Sequence, residues 1–278
     1  MNFIKAILFG IIEGITEWMP ISSTAHLKIL NAILPLEVSA EFFDVFDVVI
    51  QLGAILALVI VFFNKIWPFG ESKNPLGTGI LAKVKKDKFI LWTKIIIACI
   101  PVIFFELFLD KLFTFVNDKN EMIIIGISLI LIGIVFIVVE MYVKDKKFTV
   151  TSTRQITYLQ ALIIGLAQLV AAIFPGVSRS GATIIAALLL GISRGTATEF
   201  TFEVAIPVMF GASLMKVLKF SAAIGFGEIL VLLIGCASAF VVSLFMIRFV
   251  LNYIKKNTFT LFGMYRVLLG IIVLIFLR

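Results

Sequence analysis

Two short stretches of this 278-residue chain hold the side chains best suited to chemistry. The first reads Glu13-Gly14-Ile15-Thr16-Glu17-Trp18-Met19-Pro20-Ile21-Ser22-Ser23-Thr24-Ala25-His26. Glu13 and Glu17 stand four residues apart, so on a helix both carboxylates point to one face. Like charges at that spacing repel, and inside a membrane each costs on the order of 2.5–3.5 kcal/mol on insertion scales, so the pair calls for a cation, a metal or a proton. His26 is the only histidine. Near neutral pH an imidazole serves as acid, base or nucleophile, and a neighbouring carboxylate would fix its tautomer. Ser22, Ser23 and Thr24 offer hydroxyls to the same chemistry or, more simply, cap a half-helix from Ala25 onward.

The second stretch reads Pro175-Gly176-Val177-Ser178-Arg179-Ser180-Gly181-Ala182-Thr183. A Gly-containing turn that opens a helix points free backbone N–H groups and the positive end of the helix dipole at an anion. Arg179 adds a planar, permanently charged fork that matches phosphate oxygens, and Ser178, Ser180 and Thr183 add hydroxyls. The pattern is neither a P-loop, since its Lys-Ser/Thr is absent, nor a Gly-x-Ser-x-Gly elbow. A purely structural role would pair Arg179 with Glu13 or Glu17.

The elements that must carry these stretches are membrane helices. The chain is 61% hydrophobic and 15% charged, against roughly 45–50% and about 25% in soluble domains. Its apolar residues gather in runs of about 20, enough to cross the hydrocarbon core as helix, with no alternation of the kind a barrel needs. A soluble enzyme, a nucleic-acid-binding domain and a disordered chain are excluded, so the fold class is an all-α polytopic membrane protein in the lipid bilayer. The segment after Lys5 is not a signal peptide, because Glu13 and Glu17 interrupt it and no cleavage site follows. Cys99 and Cys236 read as packing residues.

Six segments read as full spans: Phe42–Phe63, Phe89–Leu109, Met122–Val143, Glu199–Phe220, Glu228–Leu251 and Phe259–Leu277. Phe3–Leu34 and Ile156–Ile192 read instead as a helix, a break and a half-helix, interrupted at Met19-Pro20 and Pro175-Gly176. Such a break is tolerated at membrane depth only in protein or beside a wet cavity. Gly10, Glu13, Pro20 and Ser23 fall on Gly165, Gln168, Pro175 and Ser178 at a shift of 155, and Phe46-Asp47-Val48 on Phe202-Glu203-Val204 at 156. One domain of two halves, about 1–150 and 151–278, follows, each with a re-entrant pair and three spans. Three crossings per half would invert the second relative to the first, the plan of many transporters. Asp47, Gln51 and Glu203 then belong to a polar interior, and Arg194 and Glu199 to loops or caps.

At this point the chain resembles a known family. Glu13-x-x-x-Glu17-x-x-Pro20-x-Ser22-Ser23-Thr24-x-His26, Val49-Ile50-Gln51-Leu52-Gly53, Pro175-Gly176-x-Ser178-Arg179-Ser180-Gly181-Ala182-Thr183, Arg194-x-x-Ala197-x-Glu199-Phe200 and the late Tyr265-Arg266 are similar to the bacterial undecaprenyl-diphosphate phosphatases of the bacitracin-resistance type (BacA/UppP). The resemblance implies hydrolysis of the lipid carrier undecaprenyl diphosphate to its monophosphate in the plasma membrane, with a divalent cation, for recycling in peptidoglycan synthesis. It places the family's two signature motifs on Glu13 to Glu17 and Pro175 to Thr183, and its catalytic histidine on His26. Ala25 departs from the family, where Gly is common.

Joined with the residues, the resemblance gives a site of Glu17, Ser23, His26 and Arg179 as the reacting groups. Glu13, Ser22, Thr24, Gly176, Ser178, Ser180 and Thr183 would bind substrate, and Glu13 and Glu17 would hold Mg²⁺ or Ca²⁺. Whether His26, Ser23 or a water attacks stays open, as do the oligomeric state, a homodimer included, and a lipid-flipping or anion-transport function built on the same repeats. A channel is disfavoured, because the polar residues form two clusters and line no continuous pore.

Basic residues set the orientation. Lys65, Lys73, Lys83, Lys85, Lys86, Lys88, Lys144, Lys146, Lys147, Arg154, Arg194, Arg248, Lys255 and Lys256 share one face, and Lys5, Lys28, Lys111, Lys119, Lys216, Lys219 and Arg278 the other. The richer face is the cytoplasmic one, so both termini and the first break face outward. A reporter fused after Arg278 is expected to read external; a cytoplasmic signal overturns this topology.

Overall fold

The structure is a computed structural model that describes residues 2–71, 75–109, 120–220 and 224–277. Lys73, Lys111, Lys119 and Arg278 of the charge count lie outside the described residues. Among the described residues the secondary structure is helical, with α1 Asn2–Thr16, α2 Ser23–Ile33, α3 Ala40–Val49, α4 Gln51–Ile66, α5 Lys86–Phe104 and α6 Glu121–Val143. The order continues with α7 Tyr158–Ile173, α8 Arg179–Leu189, α9 Arg194–Lys219, α10 Phe226–Ile254 and α11 Thr260–Phe276.

Side-chain caps mark several of the helix starts. Ser39 caps α3 by accepting from Phe42 N at 3.1 Å. Thr157 and Gln160 form a reciprocal capping box at the start of α7, satisfying two otherwise orphaned N–H groups. Pro101 lies inside α5, and the helix loosens one turn later into a π-helical turn over Phe105–Leu109.

Among the described residues, five segments are long and apolar enough to cross a membrane: Ala40–Ile66, Lys86–Leu109, Glu121–Val143, Arg194–Lys219 and Phe226–Ile254. The sixth expected span, Phe259–Leu277, is present as α11 but has only 17 helical residues. Its start matches the expected one to within a residue: Phe259 is the cap, and its N–H, which has no partner within a helix start, donates to the Glu140 carboxylate at 2.9 Å. The span expected from Phe42 is longer than anticipated and changes helix at Ile50. Both interrupted regions are helix, break and short helix, with α1 and α2 around the first break and α7 and α8 around the second.

Small residues let these helices touch. In an apolar solvent helices gain little from burying more apolar surface, and close backbone approach supplies packing instead. A Cβ on Gly133 would lie 2.7 Å from Gly263 O, and one on Gly263 would lie 2.8 Å from Gly133 O. Gly126 and Gly270 repeat the arrangement further along α6 and α11. Gly10 sits against the α10 backbone at Gly235, and Gly165 against the α5 backbone at Ala98. The contacts therefore come in matched sets: α1 packs on α10 as α7 packs on α5, and α6 and α11 pack on each other. At the centre, Trp18, Phe62, Phe136, Phe202 and Phe259 are buried in one apolar cluster.

Gly133→Leu would force backbone or neighbour shifts that cost about 1–3 kcal/mol. A lowered thermal midpoint of the detergent-solubilised protein is the expected result, whereas Gly211→Ala, inside α9 with nothing within 4 Å of the added carbon, does not lower it.

Candidate active site

The two breaks adopt the same local conformation. Ser22 has φ 73° and caps α2, its hydroxyl accepting from Ala25 N at 3.4 Å. Ser178 has φ 71° and caps α8, accepting from Gly181 N at 3.2 Å. These are the only non-glycine residues with positive φ among the described residues. Left-handed backbone on a side-chain-bearing residue costs of order 1–3 kcal/mol and persists only where the surroundings enforce it. The conformation also corrects the sequence overlay, in which Ser23 fell on Ser178. The structural counterpart of Ser178 is Ser22, at a shift of 156, because the second break carries one more residue after its proline. Gly176 provides the extra step at φ 88°, where a Cβ would lie 2.9 Å from Ile125 O. Position by position, Ser23 then corresponds to Arg179 and His26 to Ala182.

Arg266 joins the breaks. From the middle of α11, and fully buried, it donates through Nη1 to Pro20 O at 3.0 Å and through Nη2 to Gly176 O at 2.7 Å and Val177 O at 2.9 Å. Carbonyls that the interrupted helices leave unbonded are thus satisfied by one planar fork. In the sequence Arg266 stands out only within the late Tyr265-Arg266 motif. A permanent charge inside the otherwise apolar run from Thr260 to Phe276 was the available signal.

Between the breaks lies a cavity of about 620 Å³, walled by Glu17, Ser22, Ser23 and Thr24 on one side and Gly176, Ser178, Arg179 and Ser180 on the other. Glu17 is its hub. One carboxylate oxygen, Oε1, accepts from Arg179 Nη2 at 2.7 Å, and the other, Oε2, accepts from Ser23 Oγ at 2.6 Å. The ion pair is largely out of water, with the Arg179 and Glu17 side chains 16% and 9% exposed. Arg179 is steadied further by Thr201 O at 3.4 Å. Ser178 and Ser180 hydroxyls lie 3.1 Å apart at the start of α8. Gln51, Gln168, Glu106, Glu121 and Lys216 also face the cavity.

Three expected site residues stand back from its wall. Thr183 is fully buried, its hydroxyl 3.0 Å from Arg179 O and 2.9 Å from Thr201 Oγ1, so it braces α8 against α9. Glu13 is fully buried, and neither carboxylate oxygen has a hydrogen-bond partner among the described residues. His26 turns its ring toward the protein, with Nδ1 2.7 Å from Ser22 O and Nε2 2.8 Å from the Tyr265 hydroxyl. Arg194 and Glu199 hold partners away from the cavity: Arg194 Nε binds Glu140 at 2.9 Å and Glu199 pairs with Lys65 at 2.9 Å. Asp47 and Glu203 are buried acids on α3 and α9.

No group of three or more His, Cys, Asp or Glu side chains able to hold a metal occurs among the described residues. Glu17 and Glu13 offer carboxylate oxygens of the type a divalent cation takes, with both Glu17 oxygens engaged by Arg179 and Ser23 and the unbonded Glu13 set back from the wall.

Fold and site define a multi-pass helical membrane protein with a polar cavity between two helix breaks. The chain belongs to the family of the bacitracin resistance protein BacA, whose model matches residues 6–272. It is 49% identical to an undecaprenyl-diphosphatase of Desulfitobacterium hafniense over 99% of this chain and 96% of that one. An undecaprenyl-diphosphatase of Enterococcus faecalis is 48% identical over 98% of this chain and 96% of its own length. Undecaprenyl-diphosphatase 1 of Clostridium acetobutylicum is 49% identical over 99% and 97%.

Arg266→Met would leave the carbonyls of Pro20, Gly176 and Val177 without their donors, at about 1–3 kcal/mol for each buried unsatisfied group. The expected outcome is a lower thermal midpoint together with loss of activity. Arg266→Lys, a single ammonium in place of the fork, should recover only part of both.

Proposed function

We propose that this protein hydrolyses undecaprenyl diphosphate to undecaprenyl phosphate and inorganic phosphate, recycling the lipid carrier for cell-wall synthesis. The observation that carries the reading is the joint hold of Glu17 on Ser23 and Arg179 at the wall of one cavity. Arg179, the N–H groups opening α8 and the hydroxyls of Ser178 and Ser180 would grip the terminal phosphate. Phosphoryl transfer needs mainly in-line positioning and charge neutralisation, which this set offers.

Ser23 is favoured over His26 as the attacking group, because its hydroxyl faces the cavity and already donates to a carboxylate. In the first step the Ser23 oxygen bonds to the terminal phosphorus, and its proton passes to Glu17. The anhydride P–O bond breaks, and undecaprenyl phosphate leaves with the proton that Glu17 hands on. In the second step a water, deprotonated by Glu17, attacks the phosphorus of the phosphoserine; the bond from phosphorus to the Ser23 oxygen breaks, Glu17 returns the proton to that oxygen, and inorganic phosphate leaves. Glu17 with Glu13 behind it would hold Mg²⁺ or Ca²⁺, which supplies charge neutralisation at the diphosphate when bound.

A two-fold relation of the halves is supported by the matched contacts of α1 on α10 and α7 on α5, and an odd number of crossings per half would make it an inverted one. With the basic excess inside, the termini and the active site would face outward. The same repeats favour lipid flipping as a second reading. A water-soluble short-chain prenyl diphosphate in detergent separates the two, since a phosphatase releases phosphate with no bilayer present and a flippase does not. Purified wild-type protein is expected to do so, and Arg179→Ala or Ser23→Ala to lose at least about 100-fold. Near-wild-type turnover by Arg179→Ala would overturn the site, and by Ser23→Ala the attacking group.

A further inference from the structure

The contacts of His26 raise a question that the reaction alone does not answer. Its ring stands off the cavity wall and is held at both nitrogens. Ser22 O, 2.7 Å from Nδ1, can only accept, so Nδ1 carries the proton. In the neutral ring Nε2 is then the lone-pair nitrogen, and the Tyr265 hydroxyl at 2.8 Å donates to it. The two rings lie nearly parallel, 5° between planes with centroids 5.7 Å apart.

The receiving carbonyl belongs to one of the two strained residues, Ser22, and the next residue is Ser23. The second break handles its strain differently. There Arg266 takes the two carbonyls before Ser178, and the position of His26 is filled by Ala182. Arg266 reaches the carbonyl of neither strained serine: Ser178 O accepts from the backbone N–H of Ala182 at 3.0 Å, whereas Ser22 O accepts from the backbone N–H of His26 at 3.3 Å and from the imidazole as well. Tyr265 and Arg266 are neighbours on α11, so one helix turn serves both breaks.

We infer that Tyr265 is a positioning residue for the phosphatase reaction: through His26 it locks the strained Ser22 peptide and so aims the Ser23 hydroxyl at Glu17. His26 acts here as a rigid strut in its Nδ1–H form. The inference rests on the reading of Ser23 and Glu17 given above.

With His26 the only histidine, ¹⁵N-histidine labelling reports on this ring alone. Wild-type protein in detergent near neutral pH is expected to show a protonated Nδ1 and a hydrogen-bonded, unprotonated Nε2. Tyr265→Phe keeps the aromatic ring and removes only the hydroxyl. It is expected to move the Nε2 signal to that of a nitrogen without a donor, and to lower kcat about five- to ten-fold with KM little changed, as befits one lost hydrogen bond. The thermal midpoint should be unaltered. A predominantly Nε2–H ring in wild type, or an unchanged His26 spectrum or unchanged kcat in Tyr265→Phe, overturns the inference. The spectrum needs no turnover, so failure of the Ser23 assignment, read as activity in Ser23→Ala, is distinguishable from failure of the strut.

Discussion

Interrupting a helix inside an apolar medium strands backbone carbonyls that water cannot reach, and each unsatisfied group costs several kcal/mol there. The Arg266 guanidinium meets that constraint at both breaks at once, with bonds to Pro20, Gly176 and Val177. A fork of donors with no acceptor suits a cluster of carbonyls, and a lysine would lack its span. For Arg266 to reach both breaks, α11 must lie close to the helices that carry them, and the glycine contacts of α6 with α11 permit that approach. The cavity is what remains between two breaks tied to one side chain.

Within that frame the two halves share a backbone and differ in chemistry. Ser22 and Ser178 have nearly the same φ and the same capping role, yet the residues after them are Ser23 and Arg179. A faithful repeat would set like against like, two arginines or two hydroxyls. Divergence instead puts a nucleophile-type hydroxyl and a cation on opposite walls with Glu17 bonded to both. A buried charge pair is retained at a cost unless its hydrogen bonds are complete, and here each partner has a further bond, Glu17 to Ser23 and Arg179 to Thr201.

Membrane class, the spans and the two breaks were legible because they rest on local signals: runs of apolar residues, and Pro20 and Pro175 set among polar side chains. The cavity-facing set of Glu17, Ser22, Ser23, Thr24, Gly176, Ser178, Arg179 and Ser180 was legible too, since each break lays its polar residues side by side. The bond from Phe259 N to the Glu140 carboxylate at the start of α11 was not, because it joins residues 119 apart. Nor was the register between the breaks, because identical residue types one position apart hide an inserted Gly176 that only its positive φ reveals.

By itself, then, the sequence determined an all-helical membrane chain with two interrupted helices and the chemical types gathered at each, because hydropathy and proline act over a few neighbouring residues. Tertiary structure alone decided the partners. Glu17 meets Arg179 across 162 residues, His26 meets Tyr265 across 239, and Arg266 meets Pro20 across 246. It also set Glu13, His26 and Thr183 back from the wall that their motifs suggested. Such pairings follow from which helices pack, and that is a property of the whole chain.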